Sequence, residues 1–108
     1  MGSSTDSIRQ VYPLTSMPAV KIEVQGNVQG VGFRYFVCRR AALFGVAGQV
    51  CNRSDGAVEA LAIHPEITTL RAFADSLESG PGKVRSVNVS PTAEPEVEPL
   101  GFSIAPTI

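Results

Sequence analysis

The run GNVQGVGFR, Gly26 to Arg34, carries the residue types and spacing needed to hold a dianion. Glycines at 26, 30 and 32 can take positive φ and bring main-chain N–H groups together with no Cβ in the way. An amphipathic helix expected from Phe33 adds unpaired N–H groups and the positive end of its dipole. Arg34, in that helix's first turn, offers a planar and permanently charged fork that can span two phosphate oxygens. The chemistry implied is phosphate binding by backbone and side chain together. Taken alone, a glycine-rich turn is also an ordinary strand-to-helix connection, and a helix arginine is ordinarily solvated, so a second signal is needed. Two better-known phosphate motifs are absent. No Lys-Ser or Lys-Thr follows the glycines as GxxxxGK[ST] requires, and their spacing is not that of the dinucleotide fingerprint GxGxxG.

The second segment with chemical content is GQVCNRSDGAVE, Gly48 to Glu59. Taken alone, Asn52 shortly before Asp-Gly reads as turn chemistry, the usual use of asparagine there. Asp55 and Gly56 are hairpin formers and are given no catalytic role. His64, the single histidine, lies beside Pro65 and reads as a surface or capping residue. Cys38 has no CxxxxxR loop around it, and Cys38 and Cys51 form no CxxC pair, so both read as buried thiols and neither as a nucleophile, disulfide or zinc ligand. The carboxylates are scattered, so no metal site is expected.

These residues must be held by strands and helices that the pattern makes legible. Val20, Ile22 and Val24 alternate with Lys21, Glu23 and Gln25, a half-buried strand that leads into the glycine loop. Phe36, Val37, Ala41 and Phe44 follow at helical spacing, giving a helix over Phe33 to Phe44 that Gly45 stops. Val46 to Asn52 and Ala57 to Ile63 read as two strands joined by a hairpin through Asn52 to Gly56. Pro65 marks the start of a second helix, whose face is Ile67, Leu70, Ala74 and Leu77 and which Gly80, Pro81 and Gly82 end. Lys83 to Val89 reads as a fourth strand, Glu94 to Gly101 as a proline-spaced acidic loop, and Phe102 to Ile104 as a short edge strand. The order β, α, β, β, α, β predicts an α+β ferredoxin-like sandwich, an antiparallel sheet with two helices on one face.

Both motifs, in this order with a helix between them, resemble those of the acylphosphatase family, and LRAFADSLESGPGKVRSVNV, Leu70 to Val89, with the terminal GFSI, is similar to its second helix and last strands. The resemblance covers residues 19 to 105 or so. It implies hydrolysis of the carboxyl-phosphate bond of small acyl phosphates with no metal or organic cofactor. Arg34 matches the family's phosphate-binding arginine and Asn52 its water-positioning asparagine. The main-chain N–H groups of Asn27, Val28, Gln29, Gly30, Val31, Gly32 and Phe33 correspond to its phosphate loop. A carboxylate leaves an acyl phosphate readily, so no strong general acid is required and positioning with charge stabilisation suffices. Two departures stand out: Gln49 replaces an aromatic residue, which predicts looser packing along the second strand, and His64 replaces a glycine.

Composition bounds the alternatives. With 108 residues and 44% hydrophobic side chains, the chain fits a single domain, expected over residues 18–108 behind a flexible polar extension, residues 1–17, in which Met17 could be an internal start. Net charge is −1 and the pI about 5.7, so no basic field draws in nucleic acid or an anionic membrane. RNA-binding domains share the element order, but the aromatic content is 6% and the interleaved basic and aromatic run they use is missing. No apolar run approaches the roughly 18 residues of a spanning helix, and the N-terminus lacks the basic and apolar regions of a secretory signal, so a cytoplasmic monomer is expected. Two other readings remain open: a non-catalytic anion-binding module, and the carbamoyl-phosphate-handling domain of much longer, cysteine-rich hydrogenase maturation proteins.

Overall fold

The first strand, β1 (Ala19–Asn27), buries Val20, Ile22 and Val24 on one face and leaves Lys21, Glu23 and Gln25 half-buried on the other, as the alternation predicts. The computed structural model describes residues 17–108. The extension expected over residues 1–17 lies outside these, apart from Met17, whose N–H donates to Glu94 Oε1 at 3.0 Å. Helix α1 (Phe33–Phe44) follows the glycine loop and ends at Gly45, whose positive φ of 68° closes the last turn. Then come β2 (Ala47–Asn52), β3 (Val58–Ile63), α2 (Ile67–Ser76), β4 (Lys83–Pro91) and β5 (Phe102–Ile104).

The sheet order is β4-β1-β3-β2-β5. The expected antiparallel pairing runs unbroken from β4 to β2, and β5 adds an edge that lies parallel to β2. The overall sheet is therefore mixed. Beyond β5 the chain stays on the same edge: Ala105 N–H donates to the Val50 carbonyl at 2.8 Å, Ile108 N–H to the Asn52 carbonyl at 3.0 Å, and Ser54 N–H to the Ile108 carbonyl at 2.7 Å. At the opposite edge β4 runs two residues past its expected end, to Pro91. An edge position tolerates a proline because no partner needs its missing N–H.

Both helices cover one face of the sheet. Phe33, Phe36, Val37 and Ala41 of α1 and Leu70, Phe73 and Ala74 of α2 join the inward strand residues and Leu77 in one core. Phe73, which the expected apolar face omitted, is fully buried at its centre, with Phe44 and Phe102 edge-on at 6.1 and 6.0 Å. Ile67, expected inside, is 45% exposed because it lies at the very start of the helix. Burying each large apolar side chain contributes about 1.5–3 kcal/mol, enough to make this face the main source of stability. His64 takes the capping role expected of it: its Nδ1 accepts the N–H of Glu66, the residue that precedes α2, at 2.9 Å.

β1 reaches the glycine loop through a bulge between Gln25 and Gly26, where Gly26 has φ 135°. A Cβ there would meet the Lys83 carbonyl oxygen and stand 2.8 Å from the Arg85 nitrogen, both backbone atoms of the neighbouring strand. Gly26→Ala is expected to lower unfolding free energy by about 2–5 kcal/mol, combining backbone strain with overpacking, as read from urea melts. A loss below 1 kcal/mol, roughly the ordinary cost of a point substitution, would show that the bulge can relax.

Candidate active site

The loop between β1 and α1 is pinned at both ends by the core. Val28 and Phe33 are each 1% exposed, while Gly30, Val31 and Gly32 between them lie at the surface. Gly30 and Gly32 adopt φ of 76° and 85°, and open space surrounds the place where each would carry a Cβ. Their role is thus conformational: they turn the chain so that the loop's amides run into the start of α1. Gly32 is the residue that caps α1, with no side chain accepting from the first turn, and Phe36 N–H makes the first helical bond back to the Gly32 carbonyl at 3.1 Å. The N–H groups of the first turn before Phe36 have no intrahelical acceptor. No acidic residue lies in that turn to oppose an anion.

Arg34 is half-buried in this first turn and forms no ion pair with another described residue. Its charge is felt at Cys51 of β2, where it acts to lower the thiol pKa. Asn52, the next residue, closes β2 on the helix-covered face, two positions after the buried Val50. Among the described residues its Oδ1 is the buried side-chain polar atom that has no hydrogen-bond partner. A buried acceptor without a donor costs about 1–3 kcal/mol, so its presence calls for a reason.

The loop and the hairpin are tied directly. Gln29 Nε2 donates to the Arg53 carbonyl at 2.8 Å and to the Ala57 carbonyl at 2.9 Å. The expected site residues Asn27, Val28, Gln29, Gly30, Val31, Gly32, Phe33 and Arg34 thus form one segment, which this side chain joins to the turn beginning at Asn52.

On the other face of the sheet, Arg53 bonds Glu23 of β1, Asp55 at 2.8 Å and Glu59 of β3 at 3.4 Å. Glu23 and Glu59 stand directly opposite each other in register, where two like charges would repel. The guanidinium between them removes that repulsion. Asp55 also accepts the Ala57 N–H at 3.1 Å, the hairpin role expected of it, and this bond together with Arg53 holds its carboxyl below the usual range. The sequence reading assigned Arg53 no part. Its partners belong to three elements, and their meeting depends on a strand register that residue types alone do not specify. No group of three or more His, Cys, Asp or Glu side chains among the described residues is placed to hold a metal ion.

Both thiols are free, Cys38 half-buried and Cys51 buried. Burial pushes both upward from the ordinary thiol range; Glu59 adds to this at Cys51, while Arg53 and Arg34 oppose it. A raised thiol pKa in the folded state favours the neutral form. Its contribution to stability is complete below the unfolded value and fades as pH rises through the folded one. Native protein at pH 8 is therefore expected to react with iodoacetamide more slowly than unfolded protein at both positions, as mass spectrometry would read. Equal rates would contradict the burial described.

Five strands under two helices, with a glycine loop entering α1 beside the end of β2, define a ferredoxin-like α+β domain with its candidate site at the loop end of β1. Comparison with known proteins makes this class specific. The acylphosphatase family model matches residues 20–104. An acylphosphatase of Archaeoglobus fulgidus is 48% identical over 75 residues, covering 68% of this chain and 83% of its own. Acylphosphatase 2 of Ralstonia nicotianae is 43% identical over 91 residues, covering 82% and 94%. The crystal structure of acylphosphatase from Bacillus subtilis superposes with a TM-score of 0.74 at 42% identity, covering 82% of this chain and 99% of that one. The chain belongs to the acylphosphatase family and is a hydrolase of that kind.

Proposed function

We propose that the chain hydrolyses the carboxyl-phosphate bond of small acyl phosphates, with Arg34 and the loop amides from Asn27 to Phe33 binding the phosphoryl group and Asn52 positioning the water. The observation that carries this reading is the buried, unpartnered Oδ1 of Asn52 on a turn bonded to the glycine loop. A water held there would donate one hydrogen to Oδ1 and direct a lone pair at phosphorus, opposite the departing carboxylate. As the P–O bond to the carboxylate loosens, charge remains on the equatorial oxygens, where Arg34 and the amides at the start of α1 can stabilise it. The attacking water passes its proton to a phosphate oxygen, and the products are a carboxylate and inorganic phosphate. The carboxylate is a good leaving group, so this chain needs no acid at the leaving side.

The test is phosphate release from an aryl acyl phosphate by the purified protein in EDTA, against a blank for spontaneous hydrolysis. Turnover that depends on Arg34 and Asn52 supports the assignment. Binding of inorganic phosphate without turnover by folded protein would reduce the site to an anion-binding module and overturn it.

A further inference from the structure

We propose that the side chain of Gln29 is a positioning residue, one that fixes the water-holding amide of Asn52 against the phosphate loop. The inference rests on the function proposed above and adds to it a physical link between the two halves of the site. A primary amide carries two N–H donors, and Gln29 directs Nε2 at two carbonyls, Arg53 at 2.8 Å and Ala57 at 2.9 Å. Neither donor is left for a phosphate oxygen, so the side chain acts on the hairpin while the Gln29 main chain belongs to the loop.

Each of these carbonyls has another use. The Arg53 carbonyl also accepts Gly56 N–H at 3.1 Å, and the Ala57 carbonyl also accepts Arg53 N–H at 2.8 Å. Both therefore carry two hydrogen bonds, one closing the hairpin and one from the loop. Arg53 directly follows Asn52, whose own carbonyl accepts Ile108 N–H at 3.0 Å. The Asn52 carbonyl is held by the outer edge of the sheet and the carbonyl of the next residue by Gln29, while the buried Oδ1 of Asn52 has no partner among the described residues. A shift of the loop would thus be passed to Asn52 through two short bonds spanning 24 and 28 residues of sequence. Glutamate would turn an acceptor toward two acceptors, and methionine would fill the same length with no donor.

The experiment is a comparison of Gln29→Met in wild-type and Asn52→Ala backgrounds. With the phosphate loop and Arg34 intact, kcat is expected to fall about 10–100-fold while KM and inhibition by inorganic phosphate stay within about threefold. In the Asn52→Ala background the same substitution should change kcat by less than about twofold, because the group it positions is gone. An equal loss in both backgrounds, or full kcat in the single variant, would overturn the proposal. A readout without turnover separates its failure from that of the function itself. Inorganic phosphate should slow hydrogen exchange at the Arg53 and Gly56 amides of the wild type and leave it unchanged in Gln29→Met. Slowing that needs Gln29 supports the link even if no acyl phosphate is hydrolysed. Wild-type exchange that phosphate does not alter overturns the link even if turnover is normal, and this arm needs no variant to fold.

Discussion

Arg34→Ala is expected to lower kcat/KM for an acyl phosphate by about a thousandfold to a hundred-thousandfold, the range measured when an arginine that stabilises phosphoryl-transfer charge is removed. Arg34 is half-buried, lies in the first turn of α1 beside amides with no intrahelical acceptor, and forms no ion pair with another described residue. A charge so placed would bind the ground-state dianion and, more strongly, the transition state, so inhibition by inorganic phosphate should weaken as kcat/KM falls, though by less. Arg34→Lys should recover little, because an ammonium is a point charge and cannot form the two parallel bonds of a guanidinium. The fold should survive, since the described residues give the guanidinium no structural partner, and the melting temperature is the control. Near-normal turnover by Arg34→Lys would mean that net charge, not fork geometry, is what the site uses.

Asn52→Ala is expected to separate the two constants. Its kcat should fall by about a hundredfold to a thousandfold, the cost of deleting one oriented polar group from a charge-stabilising site, while phosphate inhibition stays within about threefold. Under the proposed mechanism the labour is divided: the loop and Arg34 hold the dianion, and Asn52 touches only the nucleophile. The substitution also deletes a buried acceptor that has no protein donor, so stability should hold or rise. A rise in melting temperature with a collapse in kcat would mark an atom kept for chemistry at a cost in stability. Unchanged kcat would remove the water-positioning role altogether. Urea melts and steady-state kinetics on one preparation give both quantities.

The order of elements and the face each strand buries were legible because they depend on local pattern. Val20, Ile22 and Val24 alternate as a strand must, and Phe36, Val37 and Ala41 repeat as a helix must. The positive φ expected at Gly26, Gly30 and Gly32 follows from the missing Cβ and is present at all three. Phe73 lies outside the expected face because that face begins at Ile67, at the exposed start of α2. The true stripe is Leu70, Phe73, Ala74 and Leu77, and only the packing of α2 against the sheet distinguishes the two. The parallel pairing of β5 with β2 was also out of reach, since three residues carry no signal of direction. In the site, the residue types of the loop and of Asn52 could be read from the chain. The bonds from Gln29 to the hairpin could not, for they join residues 24 and 28 positions apart through a turn whose geometry is settled only by tertiary contact. The Arg53 cluster with Glu23 and Glu59 was hidden for the same reason.

The outer edge of β2 is paired by residues 102–108, and this sets an order of events when the chain is made. A ribosome releases the chain from its N-terminus, so the glycine loop, α1 and the hairpin have all emerged before β5 exists. During that interval the N–H and C=O groups along the outer side of Val50 and Asn52 have no partner, and an unpaired strand edge is the feature most apt to recruit another nascent chain. Ala105 and Ile108 then close that edge at the carbonyls of Val50 and Asn52. Removal of that exposed edge thus comes late, after every residue of the loop and hairpin has left the ribosome.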